Sequence, residues 1–385
     1  MKLFLVSRGW PTEKEPQWGS FERDQAIALK EYGHQVILLS VDVRAKWGFR
    51  KYGISRKEEN GIPIYNLYAG PFWGKISRIL SVSFFKGVKR KLFLHLLDYV
   101  IKKEGLPDLL YTHYFGNTEM GLVGKWKRNI PLVGIEHFSA LGASTLSKGI
   151  KERAEVCYKY VDQLLTVSSS LRDNILKQLS VDSIVVPNMV GPEFCYKGKD
   201  QSDKVRFIST GNLLPVKGYN LLIEAFYRAN LPEGSWSLDI IGSGPEKNKL
   251  NEQIIQQGLT DQIHLRGRLD RERVISYLQE SDVYVLSSIL ETFGVAAIEA
   301  QACGLPVIAT KCGGPKEFMN DQNGVMCPVG DVNKLSQAIE WMFEHYLEYD
   351  NEKIAEDCYH RFSGKAIAEQ LTIIFEAVLR KGDIQ

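Results

Sequence analysis

Val283-Tyr284-Val285-Leu286-Ser287-Ser288-Ile289-Leu290-Glu291-Thr292-Phe293-Gly294-Val295-Ala296-Ala297-Ile298-Glu299-Ala300-Gln301-Ala302-Cys303-Gly304 is the stretch on which the reading of this chain turns. It opens as a short apolar run of strand character. Val295 to Ala302 is an Ala-rich run closed by Cys303-Gly304, the pattern of a helix with a glycine stop. A loop therefore feeds a helix N-terminus, where the N–H groups of Phe293, Gly294 and Val295 can hold a phosphate or diphosphate. Gly294 has no side chain to block that approach. Glu291 precedes this anion site and Glu299 follows it, ~7–8 Å along the helix axis. A carboxylate accepts hydrogen bonds from vicinal hydroxyls and repels a phosphate. The order hydroxyl binder, phosphate cradle, hydroxyl binder suits a sugar–diphosphate–ribose. A solvated glutamate beside an ordinary helix start would use the same residues, and spacing alone leaves both readings open.

Length and composition set the frame. The chain has 385 residues, 44% hydrophobic and 24% charged, which at ~150 residues per domain suggests two or three domains of a soluble globular enzyme. No apolar run approaches the ~20 residues of a membrane span. Met1-Lys2-Leu3-Phe4-Leu5-Val6 is too short for a signal-peptide core, so a cytoplasmic protein is expected. Cys157, Cys195, Cys303, Cys312, Cys327 and Cys358 are scattered without metal-ligand spacing and read as buried reduced thiols, with no metal site. The net charge of +2 conceals an asymmetry: through Val190 there are 28 Lys+Arg against 18 Asp+Glu, and after it 20 against 28. A basic half joined to an acidic half implies that only one of them meets an anionic surface or acceptor. Nucleic acid is not the expected partner, because no recognition motif or basic helix stripe accompanies the charge.

Short apolar runs alternate with helical periodicity along the first half. Strands are predicted at Leu3–Ser7, Gln35–Ser40, Ile62–Tyr68, Leu109–Tyr114, Leu132–Gly134 and Leu164–Val167, and helices at Phe21–Glu31, Val88–Lys102, Glu119–Lys127 and Leu171–Leu179. Such alternation builds βα units around a parallel sheet, whose ligands sit at the carboxyl ends of its strands. His113 and His137 each close a predicted strand and so fall on that edge, where a histidine is often only structural. From Phe72 to Phe85 aromatic residues interleave with cations, as in an interfacial membrane segment, while from Val88 through Leu92, Leu96 and Val100 a core helix with a basic solvated side is the better reading. Peripheral membrane contact is accordingly expected within residues 72–91.

Alternation restarts at Val205–Thr210, followed by a loop through Lys217-Gly218 and a helix at Leu221–Arg228. Leu238 to Ile241 runs into Gly242-Ser243-Gly244-Pro245, and a further helix starts at Val332. The polar stretch 191–204 lacks periodicity and reads as a linker. The tail from Gly364 to Lys381 is amphipathic, with Ile367, Leu371, Ile374, Phe375 and Val378 on its apolar side.

Glu291 to Glu299, continued through Ala300-Gln301-Ala302-Cys303-Gly304-Leu305-Pro306-Val307-Ile308-Ala309-Thr310 and Gly313-Gly314-Pro315-Lys316-Glu317, closely resembles the signature of retaining GT-B glycosyltransferases of family 4 type. The resemblance covers nearly the whole chain. It implies an α/β fold of two facing Rossmann-like domains with an interdomain cleft: residues 1–190 on the acceptor side, a linker at 191–204, a nucleotide-sugar domain at 205–363, and a C-terminal helix at 364–385 crossing back.

It also implies roles for particular residues. Glu291 would contact the donor sugar and Glu299 the ribose, with Phe293, Gly294 and Val295 at the diphosphate. Lys217 matches the family lysine on the diphosphate, but the companion arginine is replaced by Asn212; Arg266 or Arg268 could compensate. Gly19 matches a glycine loop that approaches the donor, Gly244 a turn of the second domain, and Arg268 the region of the nucleotide base. His137, in Ile135-Glu136-His137-Phe138-Ser139, matches the family's active-site histidine, and His113 matches a second edge position. The family usually has Gly after Asn188, where Met189 stands here.

The implied activity is transfer of a sugar, with retention, from a UDP- or GDP-sugar to a saccharide or lipid-linked acceptor. No cofactor is involved beyond the donor substrate, and the setting would be surface polysaccharide or glycolipid assembly at the inner face of a membrane. A nucleotide-sugar epimerase, or a non-catalytic nucleotide-sugar-binding protein, are the alternatives.

Overall fold

A computed structural model describes residues 1–13, 15, 18–44, 51–70, 82–143, 145–198 and 202–382. The stretch 72–81 expected to meet a membrane lies outside the described residues, as do the side chains of 82–86. The chain divides into two compact units. One comprises residues 1–167, 172–186 and 364–385; the other comprises 168–171 and 187–363.

The first unit is an eight-stranded sheet of β1 (Lys2–Ser7), β2 (Gln35–Asp42), β3 (Gly53–Glu59), β4 (Ile62–Tyr68), β5 (Leu109–His113), β6 (Leu132–Glu136), β7 (Gln163–Thr166) and β8 (Ile184–Val185), in the order β3-β4-β2-β1-β5-β6-β7-β8. All neighbours are parallel except β3 and β4. Leu3, Phe4, Leu5 and Val6 of the central β1 are fully buried, as befits a strand covered on both faces. β3 lies outside the sequence reading. It is almost wholly exposed, so it carries no alternation, yet Asn60 (φ +50°) and Gly61 (φ +64°) form the two-residue turn that pairs it with β4.

The helix Gly364–Gly382 belongs to this unit. Its apolar side packs against helix Ser20–Glu31, Thr372 Oγ1 lies 2.7 Å from His34 Nε2, and the Phe375 ring meets Tyr111 edge-on at 5.1 Å. Helix Lys148–Lys159, absent from the sequence reading, completes the first unit beside helix Phe115–Arg128.

The second unit is a six-stranded, all-parallel sheet of β9 (Val205–Thr210), β10 (Trp236–Ile241), β11 (Ile263–Gly267), β12 (Val283–Leu286), β13 (Val307–Thr310) and β14 (Gly324–Cys327), in the order β11-β10-β9-β12-β13-β14. In its core Phe226 stacks on Trp236 and meets Phe207 edge-on. From β9 the chain winds outward through β10 and β11, then returns to place β12 on the other side of β9. The β9–β12 junction is therefore the topological switch point, and a sheet of this kind takes ligands at the carboxyl ends of the strands there. The two loops leaving it begin at Gly211 and Ser287.

Candidate functional site

Those two loops are tied together backbone to backbone. Ile289 N donates to the Val216 carbonyl at 2.8 Å, and Ser287 Oγ donates to the Lys217 carbonyl at 2.9 Å. Gly218 sits at φ +66°, and a Cβ there would collide with the Ser287 carbonyl. On this frame Lys217 Nζ lies 2.6 Å from Glu291 Oε1. Ser288 Oγ donates to the same oxygen at 2.7 Å. Glu291 Oε2 is left without a hydrogen bond among the described residues, a carboxylate oxygen able to accept from an incoming hydroxyl. The Glu291 backbone is fixed in turn: its N–H donates to Cys312 at 3.0 Å, and its carbonyl accepts from Gly314 at 2.9 Å.

Three residues on, the helix Val295–Ala302 begins from Gly294, whose φ of +104° and ψ of 49° few residues other than glycine adopt. Gly314 lies so close beneath Phe293 that any side chain there would strike the Phe293 backbone. The Phe293 ring is buried edge-on against Phe318 and Phe362. Among the described residues the N–H groups of Phe293, Gly294 and Val295 donate to nothing, and they gather where the helix dipole is positive. Glu299 stands half-buried in the second turn. Burial raises the Tyr284 phenol above its ordinary range, and the nearby charges of Glu291 and Glu299 act in the same direction. Both acids therefore face one neighbourhood.

The remaining second-unit candidates sort into two kinds. Gly244 is a packing position: a Cβ there would stand 2.7–2.8 Å from the backbone C and N of Leu213, which holds the β10 loop against the β9 loop. Asn212 is exposed on that loop. Arg266 is occupied by Asp239 at 2.5 Å, whereas Arg268 is exposed and makes no ion pair or hydrogen bond among the described residues. Arg268 is thus the free cation of the two.

In the first unit, His113 and His137 close β5 and β6 and stack with ring centroids 5.3 Å apart at 5°, His113 Nδ1 lying 3.2 Å from His137 Nε2. Phe21 stacks at 5.9 Å from the His137 ring. His113 is fully buried, and burial, reinforced by the Arg8 charge, lowers its pKa to about 3. His137 is held through its neighbour. The buried Glu136 carboxylate accepts from the N–H groups of His137 (2.9 Å), Phe138 (2.7 Å) and Phe115 (2.8 Å) and from the Tyr158 hydroxyl (2.6 Å). Burial pushes the Glu136 carboxyl up, with those four donors opposing.

Gly19, at φ +82°, packs against the Gly9 carbonyl with no room for a Cβ, so its requirement is close approach of two loops. Beside it Arg8 forms a two-pronged pair with the buried Glu22 (2.8 and 3.1 Å) and lies over the Tyr114 ring at 4.0 Å. Tyr114 itself has φ +66°, a strained setting for an aromatic residue. Arg8, Glu22, Tyr114, Glu136 and Ser288 escape a reading of the sequence. The only signal available was that Tyr114 and Glu136 adjoin the two histidines.

The candidates thus fall into two sets, one per unit, each at the carboxyl edge of its own sheet. Among the described residues no group of three or more His, Cys, Asp or Glu comes together in a form that could hold a metal. All six cysteines are free, and no described helix is long and apolar enough to cross a membrane.

Two α/β units of this kind define the GT-B class of fold. The sucrose-phosphate synthase of Thermosynechococcus elongatus superposes over 99% of this chain and 100% of its own with a TM-score of 0.79 at 18% identity. The Anabaena protein HepE in complex with UDP covers 98% of this chain and 99% of its own at 0.72 and 17%. The family model described as Glycosyltransferase Family 4 matches residues 23–194, and that of Glycosyl transferases group 1 matches 196–359. The chain belongs to the GT-B glycosyltransferases of family 4 type. An uncharacterized glycosyltransferase of Methanocaldococcus jannaschii is 30% identical over 246 residues, a match spanning 62% of this chain and 66% of that protein's length.

Proposed function

We propose that the protein is a retaining glycosyltransferase. It moves a sugar from a nucleotide-diphosphate sugar, UDP- or GDP-linked, to a hydroxyl of a saccharide or lipid-linked acceptor in surface polysaccharide or glycolipid assembly. The observation that carries this reading is the Lys217–Glu291–Ser288 network beside the three undonated N–H groups of Phe293, Gly294 and Val295. The UDP complex of HepE supports a nucleotide donor in this fold.

In this reading the N–H groups and Lys217 hold the diphosphate and stabilise the charge that grows on it as the sugar–phosphate bond breaks. Glu291 Oε2 accepts from the sugar hydroxyls, and Glu299 from the ribose. The acceptor oxygen bonds to the anomeric carbon on the face the diphosphate leaves, and its proton passes to a departing phosphate oxygen. Glu291 orients rather than attacks. His137 positions the sugar, Arg268 meets the nucleotide, and residues 72–91 are the candidate membrane contact at the cytoplasmic face. With Lys217 and the helix N-terminus neutralising the diphosphate, no metal ion is required.

Incubation with labelled nucleotide sugars and a membrane lipid extract tests this. Transfer to lipid or saccharide with the donor's anomeric configuration is expected. An isomerised free sugar nucleotide would identify an epimerase instead. Saturable donor binding with no turnover would identify a non-catalytic binder, the reading that Asn212 in place of the arginine favours.

A further inference from the structure

Four cations of the first unit gather where β2 and β5 end. Arg44, just past β2, is neutralised by Asp42, which it grips at 3.0 and 2.8 Å. Arg90 of helix Val82–Glu104 and Arg153 of helix Lys148–Lys159 share a single carboxylate, Glu119, at 3.4 and 2.6 Å. The Arg153 guanidinium also lies over the Phe115 ring at 4.5 Å, which places it at the start of the helix that follows β5. Lys89, adjoining Arg90, is half-buried and makes no ion pair or hydrogen bond among the described residues. Its surroundings are electrically crowded: burial lowers its pKa below the ordinary lysine value, Asp42 and Glu119 oppose that, and Arg153 and Arg44 add to it.

The charges do not balance. Among the described residues Arg44, Lys89, Arg90 and Arg153 stand against Asp42, Glu119 and Glu15, which pairs with Arg44 at 3.4 Å, and this leaves one positive charge over. In addition, Arg90 Nε and Arg153 Nε are buried with no hydrogen-bond partner among the described residues. Cations held at a solvated surface would each keep water on every N–H; a half-buried group of three with one carboxylate among them is costly unless an anion completes it. Guanidinium forks and an ammonium together match the several acceptor oxygens of a phosphate. Arg90 and Arg153 each keep about a third of their side-chain surface exposed (35% and 31%), so a ligand can reach them.

We propose that Lys89, Arg90 and Arg153 form an anion subsite of the first unit that takes a phosphate or pyrophosphate group. On the transferase reading above, that group belongs to the acceptor. The subsite thus narrows the acceptor to a phosphorylated one, either a soluble phosphorylated sugar or polyol or a lipid-linked sugar pyrophosphate. It also gives the basic first half of the chain a specific use.

The test is calorimetric titration of inorganic pyrophosphate into the full chain with UDP saturating the second unit. One saturable site is expected, weakened roughly ten-fold or more in Lys89→Gln and in Arg153→Gln, and unchanged in Lys217→Ala. Lys89 has no ion pair to lose, so its variant should stay folded; retained affinity in Arg153→Lys guards against a packing defect in the other. No saturable binding, or binding insensitive to Lys89→Gln and Arg153→Gln, overturns the proposal. Sedimentation with phosphatidylcholine vesicles containing phosphatidic acid, lost in the same variants, would assign the phosphate to a lipid headgroup. Binding of pyrophosphate alone would assign it to a soluble acceptor. Neither readout depends on turnover, so failure of the transferase reading would leave this result intact, and the reverse.

Discussion

Lys217 Nζ and Glu291 Oε1 stand 2.6 Å apart across the β9–β12 junction, so the cation proposed to bind the donor's diphosphate and the carboxylate proposed to bind its sugar are each other's partners. Removing either leaves the other unpaired, and the two substitutions should therefore not add. Lys217→Ala and Glu291→Ala are each expected to lower kcat by roughly 100- to 1,000-fold. The double variant should lose little more than either one, a coupling read from the three rates. Because both side chains are partly exposed (26% and 12%), the pair contributes at most ~1 kcal/mol to stability. Thermal melts within a few degrees of wild type check that the loss is functional. Additive effects would mean that the pair does not act as a unit.

Gly294 is demanded by conformation rather than by space. A Cβ there would meet only side-chain atoms of Phe318 and Leu286, at 3.4 Å and beyond, but φ is +104°. Gly294→Ala should cost about 1–3 kcal/mol and turn the three N–H groups away from their common focus. Donor affinity is expected to fall with the fold intact, as measured by UDP titration beside circular dichroism. Unchanged UDP affinity would remove these groups from the site.

His113 gives the first unit a pH dependence whose sign is fixed. Its pKa is about 3 in the fold against an ordinary 6.5. Between those values the unfolded chain binds the extra proton, so this residue's contribution to stability is complete above pH 6.5 and is lost as pH falls, by about 1.4 kcal/mol per unit. His113→Gln should flatten that slope. Urea unfolding of both proteins at neutral and mildly acidic pH measures it; equal slopes would show that His113 charges freely in the fold.

Arg268 and Arg266 are neighbours with opposite engagements. Arg268→Ala is expected to weaken UDP binding roughly ten-fold without moving the melting temperature, since it gives up no contact among the described residues. Arg266→Ala loses the Asp239 pair and should leave UDP affinity alone. The reverse outcome in a pairwise titration would reassign the nucleotide-side cation.

Much of this was legible in the sequence because short apolar strands and Gly-marked loops carry their own signals. Val283–Leu286 and Val295–Ala302 appear with the bounds the pattern predicts, and the helix after Gly364 does so within a residue. Helix Arg271–Glu280 was missed because only Leu278 is buried along it, and helix Lys247–Gln256 because only Leu250 and Ile254 are, too few to set a period. Strand β3 was missed because, Ile54 apart, it is polar and exposed and shows no alternation, although Asn60-Gly61 after it is a hairpin-type pair. Family resemblance pointed to Lys217 and Glu291 separately; their contact, across 74 residues, exists only once the β9 and β12 loops are folded together. Glu22 and Glu136 were unreadable for the same reason, since what marks them is burial among donors and a positive charge brought from other strands.

The hairpin strand β3 bears on how the molecule behaves in a crowded solution. It forms one border of the first sheet, and Arg56, Lys57, Glu58 and Glu59 all lie exposed along it. A second copy approaching edge to edge would have to strip water from that row of mixed charge before any main-chain pairing could begin, which discourages accidental sheet extension. Rewriting those four positions with valine and threonine would leave the hairpin turn in place and expose a border ready to polymerise.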